Sequence, residues 1–303
     1  MSDLIIIGGG IAGITAAIYA KRSGLDFILL EDKIAAGQIN YIDRIDNYPG
    51  VKPGISGAEF SAQLTDQLSD LEITIENEKV ESIEKDSGNF NIQTSGKKLS
   101  AKTIIIATGA YPQNLGLEQE NEFKGKGVSY CAVCDGFFYR NKTIAVVGGG
   151  NSACEEALYL SNIAKKVYLI HRRDKLRAFD YLANLVINKN NIEMLWNSII
   201  SDLKGNQTLE KIVVTNTLTQ KETSIDAQGL FVAIGYKPNT EIFKNIINLD
   251  DNGFIITDQK MKTSTKGIFA CGDCIKKDLR QLITSAAEGA LAAISAYSYL
   301  NKV

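Results

Sequence analysis

An α/β fold with two Rossmann-like, three-layer nucleotide-binding domains is predicted by three observations. The turn Gly8-Gly9-Gly10-Ile11-Ala12-Gly13 follows an apolar run and opens a helical stretch. The same strand, turn and helix order returns at Gly148-Gly149-Gly150-Asn151-Ser152-Ala153. The 303 residues are 45% hydrophobic, enough for two domains that each bury a core.

Leu4-Ile5-Ile6-Ile7 is a short continuous apolar run, suited to a parallel strand buried on both faces. Gly8 makes the tight turn, Gly10 lets a pyrophosphate approach the backbone, and Gly13 lets helix and strand pack closely. The helix N-terminus, around Ile11 and Ala12, offers free N–H groups to phosphate charge. A helix is expected over residues 14–22 and a second strand over 27–30, ending in Glu31. A carboxylate there can accept hydrogen bonds from both hydroxyls of an adenosine ribose. Residues 73–106 alternate and carry the turns Ser87-Gly88-Asn89 and Ser95-Gly96, a pattern that reads as a β-meander.

In the second copy, residues 143–147 are the expected strand. Gly148 and Gly150 make the turn, Asn151 and Ser152 lead into a helix continuing over 155–161, and 167–170 form the next strand. Glu31 lies 23 residues after Gly8, and His171 lies 23 residues after Gly148. The acid of the first copy is thus replaced by His171-Arg172-Arg173, with Arg177 close behind. A carboxylate repels a 2′-phosphate, whereas guanidinium groups bind one through charge-assisted hydrogen bonds. The second site therefore reads as built for NADP rather than NAD. The plainer alternative is a solvated basic face, which is how Lys165-Lys166 reads. His171 is the only histidine, and its position suits packing or cofactor contact. Gly267 to Ala270 reads as a short strand feeding a Gly-Asp turn. The Ala-rich segment 284–300 reads as a packed helix, with Tyr297, Tyr299 and Leu300 as core or dimer contacts.

Charge and hydropathy narrow the class. Lys and Arg number 33 against 35 Asp and Glu, for a net charge of -2. Nucleic-acid binding, which needs a basic face, is not expected. No apolar run is long enough for a bilayer, and the N-terminus lacks signal-peptide features, so a cytoplasmic protein is expected. Five cysteines in such a chain are not a disulfide framework.

Cys131-Ala132-Val133-Cys134-Asp135 carries the chemistry. Cys-x-x-Cys placement lowers a thiol pKa from about 8.5 to about 7 or below. The thiolate attacks a disulfide, and the second thiol resolves the mixed disulfide. Asp135 is placed to move protons during these steps. Two other readings stand beside this one. Cys131 and Cys134 are compatible with half of a zinc site completed by Cys271 and Cys274, or with two unreactive thiols. No resident metal is expected. Cys154 reads as a small buried hydrophobe.

Over almost its whole length the chain resembles the low-molecular-weight, FAD-dependent thioredoxin reductases. Ser129-Tyr130-Cys131-Ala132-Val133-Cys134-Asp135-Gly136 resembles their redox motif, and His171-Arg172-Arg173-Asp174 with Arg177 their NADPH 2′-phosphate motif. Ala36-Gly37-Gln38-Ile39 and Asn47-Tyr48-Pro49-Gly50 resemble FAD contacts. Ala107-Thr108-Gly109 and Ala233-Ile234-Gly235-Tyr236-Lys237-Pro238-Asn239-Thr240 resemble the crossings between domains, and Gly272-Asp273 with Arg280-Gln281 the closing FAD motif.

The resemblance implies that Cys134 faces the flavin, Cys131 attacks the protein substrate, and Asp135 is the acid/base. It implies that Asp273 contacts the ribityl-pyrophosphate region, that Arg280 and Gln281 contact the flavin end, and that a homodimer reduces thioredoxin. An NADPH domain inserted into an FAD domain follows, with FAD parts at residues 1–113 and 245–303 and the insertion at 114–244. Rotation of the insertion would present nicotinamide and then thiols to one flavin. The fingerprint strand begins at Leu4, so no N-terminal thiol domain of the long peroxiredoxin-reductase type is expected. The departure from the family is the Cys271/Cys274 pair, where small or aliphatic residues are more usual. It leaves open an NADPH- or ferredoxin-linked flavin oxidoreductase acting on another carrier. Ferredoxin-linked relatives lose the NADPH motifs, which are intact here.

Overall fold

The computed structural model describes residues 1–42, 44–86 and 88–302; Ser87, in the first expected meander turn, lies outside them. The chain forms two compact units, Met1–Tyr111 with Lys237–Val303, and Pro112–Tyr236.

The first unit starts with β1 (Ser2–Ile7), α1 (Ile11–Arg22) and β2 (Phe27–Glu31). A capped helix α2 (Gly57–Asp70) follows, held at its start by reciprocal hydrogen bonds between Ser56 and Glu59. Its Phe60, Leu64 and Leu68 recur every four residues and form one buried stripe. Next come β3 (Ile75–Asn77), β4 (Val80–Asp86), β5 (Asn89–Thr94) and β6 (Lys98–Ile106). The chain leaves this unit in β7 (Ala110–Pro112).

β6 explains why part of the expected meander is not one. Its first half pairs antiparallel with β5, and its second half pairs parallel with β1. β3 does not join the meander but extends the parallel sheet beyond β2. An edge strand of three residues carries too little alternation to reveal which neighbour it takes. Continuous apolar runs mark the centre of the sheet. Ile5 is in register with both Ile28 and Ile104, and Ile104, Ile105 and Ile106 are fully buried. Burying each such side chain stabilises the fold by about 1.5–3 kcal/mol.

The second unit contains β8 (Val128–Ser129), the single-turn α3 (Ala132–Asp135), β9 (Thr143–Gly148), α4 (Asn151–Ser161), β10 (Lys166–Ile170), α5 (Asp180–Ile187) and β11 (Ile192–Leu195). An antiparallel sheet of β12 (Ser198–Gly205), β13 (Leu209–Asn216) and β14 (Glu222–Asp226) precedes β15 (Gly229–Ala233). The parallel sheet has the order β11-β10-β9-β15-β8. Alternation along β9 builds three layers. Ile144 and Val146 join a core with Cys154, Ala157 and Leu160 of α4, while Ala145 and Val147 join one with Ile212 and Val214 of β13.

The chain returns in β16 (Tyr236–Pro238), then adds β17 (Ile268–Ala270) alongside β6 and the long α6 (Leu282–Asn301). The second crossing falls at Tyr236/Lys237, ahead of the Lys244 region expected from sequence, and Phe243 is fully buried in the core of the first unit. Tyr299 of α6 meets Phe269 edge to face at 6.3 Å. Among the described residues, no helix is long and apolar enough to cross a membrane.

Candidate active site

The first glycine turn is dictated partly by the chain and partly by what it leaves open. Gly8 has φ 108°, and a Cβ there would collide with the Ala107 carbonyl. Gly10 differs: a Cβ there would meet nothing within 4 Å. Space is thus reserved in front of the α1 N-terminus, where Ile11, Ala12 and Gly13 begin the helix without a side-chain cap. This is the arrangement that receives a phosphate group.

Long-range contacts gather the other predicted residues of this unit. The Gly9 N–H donates to Glu31 Oε2 at 2.6 Å, and the Lys33 N–H to Oε1 at 3.0 Å. Burial raises the Glu31 pKa, against the pull of these N–H groups. The Ala36 N–H donates to the Gly9 carbonyl at 2.8 Å, and a Cβ on Gly37 would lie 3.5 Å from Gly10 Cα. Gln38 Nε2 donates to the Ala110 carbonyl at 2.6 Å and borders Gly109. Thr108 Oγ1 donates to the Asn239 carbonyl at 2.7 Å. Asn47 Nδ2 donates to Gln281 Oε1 at 2.9 Å, joining residues 234 apart in sequence. Arg280 is turned onto its own loop, donating to the carbonyls of Lys277 and Ile275, with its guanidinium 4.2 Å from the Phe254 ring centroid.

Asp273 sits in the turn between β17 and α6. Ser285 Oγ donates to its Oδ1 at 3.1 Å, and Lys277 Nζ pairs with the same oxygen at 3.1 Å. Lys277 also meets Glu288 at 2.9 Å. Sequence reasoning missed Lys277 and Glu288. The four-residue step from Asp273 to Lys277 was the available signal for the first, whereas the second comes from the far side of a turn.

In the second unit the open position is Gly150, where a Cβ again meets nothing within 4 Å. The segment after β10 is laid against this turn. The Arg177 N–H donates to the Gly149 carbonyl at 2.7 Å, and the Phe179 N–H to Asn151 Oδ1 at 2.9 Å. Ser152, beside Asn151 in the first turn of α4, is exposed. His171 is 4% exposed and packs so tightly beneath Gly149 that a Cβ there would strike its ring. Its Nε2 lies 3.0 Å from the Lys175 carbonyl. Burial lowers its pKa, and the charges of Arg177 and Arg173 add to that. It packs against the glycine turn. Arg172, Arg173 and Arg177 are exposed, and their guanidinium groups form no hydrogen bond or ion pair among the described residues. Three uncommitted guanidinium groups in the segment after β10 fit an anionic ligand better than a structural role.

Cys131 caps α3, and Cys134 lies within it. Cys131 and Cys134 form a disulfide with Cα atoms 5.3 Å apart. The Cys134 N–H points at Cys131 Sγ, 3.2 Å away. Ser129 Oγ donates to Asp135 Oδ2 at 2.6 Å and accepts from the Cys131 N–H at 3.1 Å, tying carboxylate and thiol segment together. Behind them, Tyr130 Oη donates to the buried Glu120 at 2.7 Å, and Tyr236 Oη to the Tyr130 carbonyl at 2.8 Å. Burial and then the Asp135 charge push the Tyr139 hydroxyl up to about 12. Cys134 is exposed and Cys131 half-buried, followed by exposed Phe137 and Phe138.

The other thiols are sealed. Cys154 is buried on α4, and burial pushes it up to about 11. Cys271 and Cys274 are fully buried and not joined to each other. Among the described residues, no cluster of three or more His, Cys, Asp or Glu is placed to hold a metal ion.

The family model described as pyridine nucleotide-disulphide oxidoreductase matches residues 2–289. A thioredoxin reductase of Buchnera aphidicola subsp. Acyrthosiphon pisum is 44% identical, the alignment covering 100% of this chain and 98% of that one. One of Rickettsia typhi is 41% identical over 99% of each. The crystal structure of thioredoxin reductase from Streptococcus pyogenes superposes with a TM-score of 0.94 at 40% identity, covering 100% of this chain and 99% of that one. With the two glycine turns and the Cys131–Cys134 disulfide in place, the chain belongs to the pyridine nucleotide-disulphide oxidoreductases, within the thioredoxin reductase family.

Proposed function

We propose that this chain passes electrons from NADPH through FAD to the Cys131–Cys134 disulfide, and from there to the disulfide of thioredoxin. The observation that carries the reading is the Cys131–Cys134 disulfide beside Asp135, with Cys134 exposed, on the same unit as a glycine turn and three exposed arginines in the segment after β10.

On this reading Gly8, Gly10, Ile11, Ala12 and Gly13 hold the FAD pyrophosphate, and Glu31 holds the adenosine ribose. Gly37, Gln38, Asn47, Thr108, Gly109, Asp273, Arg280 and Gln281 surround the ribityl and flavin end. Gly148, Gly150, Asn151 and Ser152 receive the NADPH pyrophosphate. Arg172, Arg173 and Arg177 receive the 2′-phosphate, and His171 supports the turn from beneath. Bound flavin supplies a two-electron relay between nicotinamide and disulfide.

The protein's own steps are thiol chemistry. Two electrons and two protons open the Cys131–Cys134 bond into two thiols, with Asp135 moving a proton. The Cys131 thiolate, stabilised by the Cys134 N–H, attacks one sulfur of the substrate disulfide, and the other leaves as a thiolate that takes up a proton. The Cys134 thiolate then attacks Cys131 sulfur in the mixed disulfide, re-forms the internal disulfide and releases the second substrate thiol. A homodimer, a cytoplasmic location and rotation of the inserted domain between half-reactions belong to the same reading.

Anaerobic titration of the yellow protein with NADPH tests it. FAD plus one disulfide takes up about four electrons per chain. An uptake of two would remove the redox role of Cys131 and Cys134.

A further inference from the structure

One charged cluster joins Asp273 to two residues, Lys277 and Glu288, that have no role in the reading above. Lys277 Nζ stands between two carboxylates, 3.1 Å from Asp273 Oδ1 and 2.9 Å from Glu288 Oε2, and donates to Ser285 Oγ at 3.2 Å. The Lys277 side chain is only 10% exposed and that of Glu288 15%. Glu288 Oε2 also accepts the Gly272 N–H at 2.9 Å, which fixes the backbone of the Asp273 turn. A surface ion pair explains neither the burial nor the second carboxylate, because withdrawing three charged groups from water is unfavourable unless each is matched.

The cluster's location supplies a reason. A Cβ on Gly272 would lie 2.9 Å from Ala12 Cβ, and one on Gly289, next to Glu288, would collide with the Ala12 carbonyl. Ala12 is in the first turn of α1, behind the open space at Gly10. Gly272, which opens the Asp273 turn, and Gly289, which follows Glu288, are therefore packed against the helix end that would receive a pyrophosphate, and bring the two carboxylates near it. Two carboxylates there oppose the binding of a dianionic group, and one buried ammonium offsets part of that opposition.

We propose that Lys277 and Glu288 are positioning residues for the pyrophosphate-ribityl segment of FAD, Lys277 supplying the counter-charge that lets Asp273 be held beside it. This inference rests on the FAD reading above.

The test measures flavin release from purified holoprotein, followed by the rise in free-flavin fluorescence, with the unfolding midpoint at saturating FAD recorded for each variant. Lys277→Met should release FAD about tenfold faster than the parent, and Lys277→Arg within about threefold of it. The double variant K277M/E288Q lacks one of the uncompensated carboxylates and should fall between K277M and the parent. It also removes both members of the Lys277–Glu288 pair, a change that folded proteins tolerate better than removing one, so it serves where K277M fails to fold. On the E288Q background, adding K277M should still speed release about threefold.

Release from K277M within about twofold of the parent overturns the inference. So does K277M/E288Q releasing as fast as K277M, since loss of packing alone gives that result. A parent that purifies without flavin overturns the FAD reading itself, a result distinct from either.

Discussion

Two Cys-x-x-Cys segments of this chain have the same spacing, and each has an acid nearby, yet they lie in opposite environments. Cys131 at the N-cap of α3 and Cys134 within it form a disulfide and present Cys134 to solvent. Cys271 and Cys274 flank a turn packed under β6, where the Cys271 N–H and the Cys274 thiol both donate to the Ile106 carbonyl. The acids differ as well. Asp135 accepts from Ser129, and Asp273 is engaged by Lys277 and Ser285. Burial pushes Cys274 up to about 11 and Cys271 well above its ordinary value. Spacing brings two sulfurs within reach of each other. Access and the pKa set by the surroundings decide whether they react.

The largest test of the contrast is to remove one sulfur from the exposed pair. Cys131→Ser or Cys134→Ser should lower NADPH-driven thioredoxin reduction by about a thousandfold or more, because the relay needs both thiols. Flavin reduction by NADPH, followed by bleaching in a stopped-flow instrument, should survive. A variant that kept about a tenth of parental turnover would place the relay elsewhere.

Labelling tests the same contrast without mutation. A thiol with a pKa of about 11 is about a thousandth ionised at pH 8, and it is also sealed from reagent. After NADPH reduction, iodoacetamide at pH 8 should modify Cys131 and Cys134 about a hundredfold faster than Cys271 and Cys274, as read by peptide mass spectrometry. The buried pair should label freely only in denaturant. Comparable rates in the folded protein would show that the turn opens and that the second pair is available to chemistry.

The parts legible in the sequence are those dictated by the chain's own backbone. Gly8 and Gly148 have positive φ and abut carbonyls of a neighbouring strand, so the turns have to be glycine and can be found by pattern. The Leu4 to Ile7 run is buried on both faces and reads as a central parallel strand. Helix starts are harder to place. α1 begins at Ile11 and α4 at Asn151, ahead of the expected positions, because Gly10 and Gly150 cap them without a side-chain hydrogen bond to advertise the start. Polar contacts across the fold leave no trace in the sequence. Ser129 with Asp135, Tyr130 with Glu120, and Glu288 with Gly272 are chosen by tertiary packing, and local pattern does not encode which donor finds which carboxylate. The identity of the reactive pair is legible through Asp135 and the family motif, whereas the expectation that the other pair is inert rests on its burial.

The smallest expected effect bears most directly on that inertness. The double substitution Cys271→Ala, Cys274→Ala removes two small apolar groups from a packed core and one weak donor from the Ile106 carbonyl. Each truncation should cost about 1–2 kcal/mol of stability, visible as a lowered denaturant midpoint. Thioredoxin turnover should stay within about twofold of the parent, and electron uptake on NADPH titration should remain about four per chain. The two measurements separate packing from redox function. A fall in stability with unchanged uptake assigns the pair to the core of the first unit. A parent uptake of about six electrons that fell to four in the variant would make Cys271 and Cys274 a second redox centre, and would mean that burial in the resting fold does not keep electrons from reaching them.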